Sequence, residues 1–233
     1  MLTRTYDHRR QELETYFDRT ALEAWKRLTS DAPVGTIRAT VRAGRDRMRS
    51  MLLDWLPADL RGCRLLDAGC GTGALAVEAA MRGAAVTAID ISASLVQLAA
   101  ERQPRDLGAG SVDFRVGDML DPALGEFDFV VAMDSLIHYD GDDIVGVLAG
   151  LAARTRHAVL STFAPRTGVL SAMHAVGRLL PRGNRAPAIA PIAERALAAK
   201  IDAHPDLAGW ERGRSECVKS GFYTSQALEI RRR

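Results

Sequence analysis

Between residues 64 and 163 the chain alternates apolar, strand-like runs with helix-like stretches, and this alternation restricts the fold more than any other feature. The runs are RLLDAG (64–69), AVTAID (85–90), VDFRVGD (112–118), FDFVVAMD (127–134) and HAVLSTFA (157–164). They are nearly continuous in apolar character, as expected of parallel strands buried on both faces. Helix-like stretches at 73–82, 92–103 and 142–154 separate them, which predicts an α/β, Rossmann-like doubly wound sheet. Residues 165–191 interrupt the pattern: an apolar piece, GVLSAMHAVGRLL, is followed by the proline-rich PRGNRAPAIAP, and together they read as a lid insert after the fifth strand. A helix resumes at 192–203. Residues 209–231 then read as two short strands around a turn near Ser220-Gly221, giving a C-terminal antiparallel hairpin. Ahead of the alternation, residues 5–57 read as helical: Leu13, Phe17, Leu22, Trp25 and Leu28 recur at three- to five-residue steps. Ser30, Asp31 and Pro33 mark a turn, and Pro57 ends a second helix. The expected organisation is a helical N-terminal arm or cap at 1–57 in front of one α/β domain at 58–233.

A total of 233 residues suits one such domain with an added arm. The 31 basic and 29 acidic residues leave a net charge of +2, which argues against a nucleic-acid binder. The three cysteines, at 63, 70 and 217, are odd in number and far apart, so reduced thiols are expected rather than a disulfide or zinc framework. No apolar run approaches the ~18–20 residues of a membrane span, and the polar start MLTRTYDHRR is no signal peptide. The expectation is a soluble cytoplasmic domain.

The first strand runs into LLDAGCGTG, residues 65–73, and a helix opens at its end. Gly69, Gly71 and Gly73 allow a tight turn and a close approach of backbone to a ligand. Gly69, Gly71 and Ala74 also fit the GxGxxA spacing of dinucleotide enzymes, so the glycines alone leave the ligand open. Asp67 narrows it. A carboxylate two residues before the first glycine would repel a pyrophosphate held at the helix N-terminus. S-adenosylmethionine (SAM), with its ammonium and sulfonium, is favoured by an acid there; the plain alternative is a buried acid capping its own loop. Asp90 ends the second strand 23 residues further on, the place of a ribose-binding acid. Asp118, after the third strand, can accept from the adenine amino group or simply serve the turn, and Ile91 and Met119 offer apolar walls to the ring. No HxxxH, HExxH or cysteine cluster suggests a protein-bound metal.

Together these motifs resemble those of class I SAM-dependent methyltransferases over about residues 60–163, and the terminal hairpin resembles that family's last strand pair. The flanks add YFDRTALEAWKRLTSDAP (16–33), IRATVRAGRDRM (37–48), MDSLIHY (133–139) and GFYTSQALEIRR (221–232). With them the chain resembles, over nearly its full length, the magnesium-protoporphyrin IX O-methyltransferases of chlorophyll and bacteriochlorophyll synthesis. One departure stands out. Members from oxygenic phototrophs commonly carry a tyrosine at the position of Thr29, and no role of that tyrosine carries over.

The resemblance implies Mg-protoporphyrin IX as the acceptor and a monomethyl ester as the product. It also implies hand-over from the porphyrin-binding subunit of magnesium chelatase and at most peripheral contact with pigment-forming membranes. A propionate has the ordinary carboxylic pKa and is ionised at pH 7, so no general base is needed. His138, just past the fourth strand, is then the expected catalytic contact, hydrogen-bonding the propionate rather than ligating magnesium, which prefers oxygen; the bland alternative is a packed loop histidine. Tyr139 beside it is a further substrate contact, whereas His174 reads as packing. Arg38, Arg42, Arg45 and Arg49 step by 4, 3 and 4 residues and share one helical face. That face is either solvated or holds anions, with Arg42 and Arg38 as the substrate-binding candidates. A methyltransferase of another small carboxylate or phenol, and a noncatalytic tetrapyrrole carrier, remain the competing readings.

Overall fold

A computed structural model describes residues 4–18, 29, 35–166 and 188–233. Its seven-stranded sheet is ordered β3-β2-β1-β4-β5-β7-β6. The five parallel strands are β1 (Arg64–Ala68), β2 (Ala85–Asp90), β3 (Ser111–Val116), β4 (Phe127–Ala132) and β5 (Thr155–Phe163). β6 (Trp210–Ser220) and β7 (Tyr223–Arg232) form the antiparallel hairpin, and β7 pairs antiparallel with β5. The expected doubly wound sheet with its terminal hairpin is therefore present. The hairpin strands are not short, however: they run 11 and 10 residues. β6 is the sheet edge and carries Glu211, Arg212, Arg214 and Glu216, mostly exposed, so it lacks the apolar run by which the inner strands announce themselves.

Neighbouring residues of the inner strands point to opposite faces, as the two-residue period of a strand requires. Leu66, Val130 and Val159 enter one core cluster, while Leu65, Val131 and Leu160 enter the other. Both faces are thus covered, which explains the continuous apolar runs. The first face is covered by α5 (Gly141–Ala152) and α6 (Glu194–Ala203), joined by Tyr6 and Leu13 of α1 (Arg4–Tyr16). The second is covered by α2 (Thr36–Asp54) and α3 (Ala74–Met81). α4 (Ala93–Arg102) flanks β2 and β3. Local chemistry starts these helices where they start: Ser92 Oγ accepts from the Leu95 N–H at 3.2 Å, and an Asp140 oxygen accepts from the N–H groups of Asp142 and Asp143.

α2 is built into the core by its second half. Met48, Leu52 and Leu53 are fully buried, each burial contributing about 1.5–3 kcal/mol. The first half of α2 leans on the hairpin, where the Gly44 backbone meets the Tyr223 ring; a Cβ at Gly44 would stand 2.5 Å from Tyr223 Cδ1. Leu22, Trp25, Leu28, the Ser30-Asp31-Pro33 turn, His174 and nearly all of the lid insert lie outside the described residues. No helix among the described residues is long and apolar enough to cross a membrane.

Candidate functional site

Strand order reverses direction at β1 and β4, and the crevice beyond their carboxyl ends is where such sheets bind ligands. A cavity of about 320 Å³ lies there. Its floor is the glycine loop. Gly69 has φ 83, and a Cβ on it would stand 2.5 Å from Ser135 Cβ, so glycine is required for both conformation and space. The Gly69 and Cys70 N–H groups donate to the Ile89 carbonyl at 2.8 and 3.0 Å, which ties the loop to β2. Asp90 completes the tie: Oδ2 accepts from the Gly71 N–H and Oδ1 from the Ser92 N–H, both at 2.9 Å. Gly69, Gly71, Asp90, Ile91 and Met119 all line the cavity. Gly73 does not; it is the N-cap of α3.

Asp67 is 2% exposed and lines the same cavity. Its carboxyl accepts from the Ala76 backbone N–H, yet Oδ2 has no hydrogen-bond partner among the described residues. Burial and the nearby Asp90 push its pKa up to about 7. A buried carboxylate oxygen left without a donor is costly, and a cationic ligand group relieves it.

Asp118, like Gly73, is placed apart from the other expected cofactor residues. It does not contribute to the lining, although Gly117 and Met119 on either side of it do. Its Oδ1 accepts from the Tyr6 hydroxyl and the Leu120 N–H, each at 2.9 Å, and Arg10 Nε stands 3.5 Å from Oδ2. Tyr6 is buried and stacks on Tyr139 with ring centroids 5.1 Å apart. Burial beside Asp118 drives the phenol pKa of Tyr6 far above its usual value, so this hydroxyl keeps its proton and donates it to Asp118 in the hydrogen bond. Sequence reasoning missed Tyr6 because its partner lies 112 positions away.

The opposite wall comes from α2 and the end of β4. Arg42, Arg45 and Arg49 line the cavity; Arg38, one turn earlier, is exposed and does not. Arg49 is committed to Glu78 at 2.5 Å and Asp46 at 2.8 Å. Arg45 Nη1 donates to Asp134 Oδ2 at 2.7 Å. Asp134 also accepts from Tyr223 and Ser225 on β7. His138 lines the cavity, with Nδ1 3.3 Å from the Ala188 carbonyl oxygen and its ring edge-on to Phe17. Tyr139 lines it too but is buried, and burial raises its phenol pKa. Thr29 is a lining residue whose Oγ1 accepts from Arg102 at 3.0 Å. The cavity is therefore lined by the Asp67 and Asp90 carboxylates and by arginines of α2, of which Arg45 and Arg49 are paired with carboxylates.

Comparison with known proteins agrees with this arrangement. The magnesium-protoporphyrin IX methyltransferase C-terminus model matches residues 132–232, and a general methyltransferase-domain model matches 65–157. A magnesium-protoporphyrin O-methyltransferase of Rhodobacter capsulatus is 50% identical over 227 residues, spanning 97% of this chain and 98% of the relative. This chain belongs to the magnesium-protoporphyrin O-methyltransferase family. The chloroplastic magnesium protoporphyrin IX methyltransferase of Arabidopsis thaliana is 30% identical over 224 residues, covering 94% of this chain and 70% of that protein. A crystal structure of magnesium protoporphyrin IX methyltransferase from Synechocystis PCC 6803 with bound SAH superposes with a TM-score of 0.83 at 27% identity, covering 96% of this chain and 99% of that one. The methyl donor of the family is SAM, and the site suits it: Asp67, at the end of β1, lines the cavity and has a buried carboxylate oxygen without a partner among the described residues, which a ligand carrying an ammonium would satisfy.

Proposed function

We propose that this methyltransferase esterifies a propionate of Mg-protoporphyrin IX, giving the monomethyl ester. The observation that carries the reading is one cavity lined both by Asp67, whose carboxylate oxygen lacks a partner among the described residues, and by Arg42 and Arg45 of α2. SAM supplies an electrophilic methyl group on a sulfonium. Asp67 holds the ammonium, Asp90 the ribose hydroxyls, and Ile91 and Met119 flank the adenine; Asp118 serves the adenine amino group once Tyr6 shares it.

The propionate is already ionised at neutral pH, so no residue has a proton to remove. In-line placement and the exclusion of water are what the chain must supply. The reaction cancels charge: the propionate oxygen forms a bond to the methyl carbon, the carbon–sulfur bond breaks, and its electron pair neutralises the sulfonium. A drier site therefore favours the transition state, and the arm at 1–57 contributes by closing the cavity with Tyr6, Leu13 and Phe17. His138 orients the propionate by hydrogen bonding. Arg42 holds the second propionate, and Tyr139 supports the macrocycle through its stack with Tyr6. Arrival of the substrate from the chelatase's porphyrin-binding subunit and a peripheral membrane encounter belong to the same reading.

The test is product analysis after incubation with methyl-labelled SAM and Mg-protoporphyrin IX. Label in a monomethyl ester that mild alkali removes is the expected result. Label that resists alkali, or none at all, would overturn the proposal.

A further inference from the structure

Just beyond β4 stands a further acid. Asp134 is the one non-glycine residue with positive φ among the described residues, at 54°. Such a backbone persists only where its surroundings over-determine it, and strain of this kind clusters at functional sites. The Asp134 side chain is 5% exposed. Besides Arg45 at 2.7 Å, its oxygens accept from the Tyr223 hydroxyl at 3.0 and 3.2 Å, Ser225 Oγ at 3.1 Å and Thr162 Oγ1 at 3.3 Å. α2, β5 and β7 thus converge on one carboxylate, and the Arg45 guanidinium it fixes lines the cavity.

The next residue is Ser135. The residue lines the cavity, and its Oγ is buried with no hydrogen-bond partner among the described residues. Its Cβ abuts Gly69, so the hydroxyl stands beside the glycine loop, next to the place of the methyl donor. A buried hydroxyl without a partner is costly, and a ligand oxygen within reach satisfies it.

We infer that Arg45 and Ser135 cradle the acceptor carboxylate, the one that receives the methyl group, and that Asp134 is the positioning residue that sets Arg45. This assignment rests on the functional reading above. It also resolves a conflict in the chemistry. The nucleophile loses its charge in the reaction, so an unshared cation would hold the ground state more tightly than the transition state and slow the step. An arginine shared with a buried aspartate is close to neutral as a pair. It orients the propionate through its rigid fork of donors without a full opposing charge.

The experiment is a titration by Soret absorption of SAH-loaded protein with Mg-protoporphyrin IX and with its dimethyl ester, which has the macrocycle but no carboxylate. Arg45→Gln is expected to cut the preference for the diacid by about tenfold, the equivalent of ~1.4 kcal/mol, leaving dimethyl ester and SAM affinity unchanged. Ser135→Ala is expected to cut it by about threefold, in the range of a neutral hydrogen bond. Asp134→Asn is expected to raise the KM for the porphyrin more than it lowers kcat. Arg45→Lys, which keeps the charge but not the fork, should restore only part of the preference. A purely structural role would weaken diacid and dimethyl ester alike, and that outcome overturns the inference. So does a loss of SAM affinity with diacid preference intact, which would give the clamp to the carboxylate of SAM. If Asp134→Asn does not fold, the Arg45 and Ser135 variants decide the matter. Wild-type protein that methylates no porphyrin would overturn the functional reading and this assignment with it, whereas a wild type that methylates and an Arg45→Gln variant that keeps its preference would overturn this assignment alone.

Discussion

The two ends of the cavity are assembled from residues at very different distances along the chain. At the β1–β2 end, Asp67, Gly69, Gly71 and Asp90 all fall between positions 67 and 90, and backbone hydrogen bonds within that stretch fix them. At the α2–β4–β7 end, Asp134 meets Arg45 across 89 positions, Tyr223 across 89 and Ser225 across 91. A glycine loop followed by an acid is a local device, and its geometry follows from the strand, turn and helix that contain it. The acceptor wall exists only after α2 has packed on the hairpin and the hairpin on β5. In the proposed reading the first end takes a ligand common to many enzymes, and the second takes the acceptor.

If the ends are separable, a change at one should leave the other's ligand alone. The largest expected effect is at Asp67. Asp67→Asn removes the charge proposed to meet the ammonium and should weaken SAM binding by about 1.5–3 kcal/mol, roughly 10- to 100-fold, by calorimetry. Porphyrin affinity should stay within about twofold, and an equal loss for both ligands would break the comparison. Next is Gly44→Ala, which drives a Cβ into the Tyr223 ring. Overpacking of that kind should lower stability by about 1–3 kcal/mol in urea denaturation, and it should disturb porphyrin binding before SAM binding. An unchanged midpoint would mean that α2 is not seated on the hairpin as described.

A subtler effect lies in pH. The Asp67 carboxyl, held up to about 7, is mostly protonated in the free protein at pH 6 and mostly ionised at pH 8. SAM favours the ionised form, so its affinity should rise several-fold from about pH 6 towards about 7.5, before its own α-ammonium begins to lose its proton. For the free protein the sign is opposite. A carboxyl whose folded pKa lies above its unfolded value stabilises the fold at pH below about 4, and that contribution is lost as pH rises towards 7. At saturating SAM the dependence should vanish, leaving turnover level within a few-fold from about pH 6.5 to 9. A steep rise near pH 8 under saturation would mean that the acceptor needs a base. Smallest is His138→Ala, for which turnover should fall about two- to tenfold with SAM affinity unchanged, the scale of one hydrogen bond. Collapse of SAM affinity would move His138 into the cofactor end.

Legibility in the sequence follows the same division. Leu65-Leu66 and Val130-Val131 each supply one residue to either face of the sheet, and that need for apolar residues on both faces makes the inner strands readable. β6 hid its length because an edge strand can afford charges. Asp67, Gly69, Gly71 and Asp90 were legible because contact and spacing coincide there. Arg38 and Arg45 share a helical face but stand about two turns apart along α2, and Arg45 lines the cavity while Arg38 stands in solvent. Nothing local marks Tyr6 as the partner of Asp118, and Asp134 and Ser135 lay unread within MDSLIHY, since a strand-end acid reads as a turn residue until its donors arrive from elsewhere.

The most direct test of the account compares two acceptors that differ only in the metal. Purified protein with saturating methyl-labelled SAM is given Mg-protoporphyrin IX or metal-free protoporphyrin IX, and label in the monomethyl ester is measured for each. The account predicts rapid labelling with strong preference for the magnesium form. No label in either, with SAM still bound, would keep the cofactor end as described and contradict the assignment of the acceptor end.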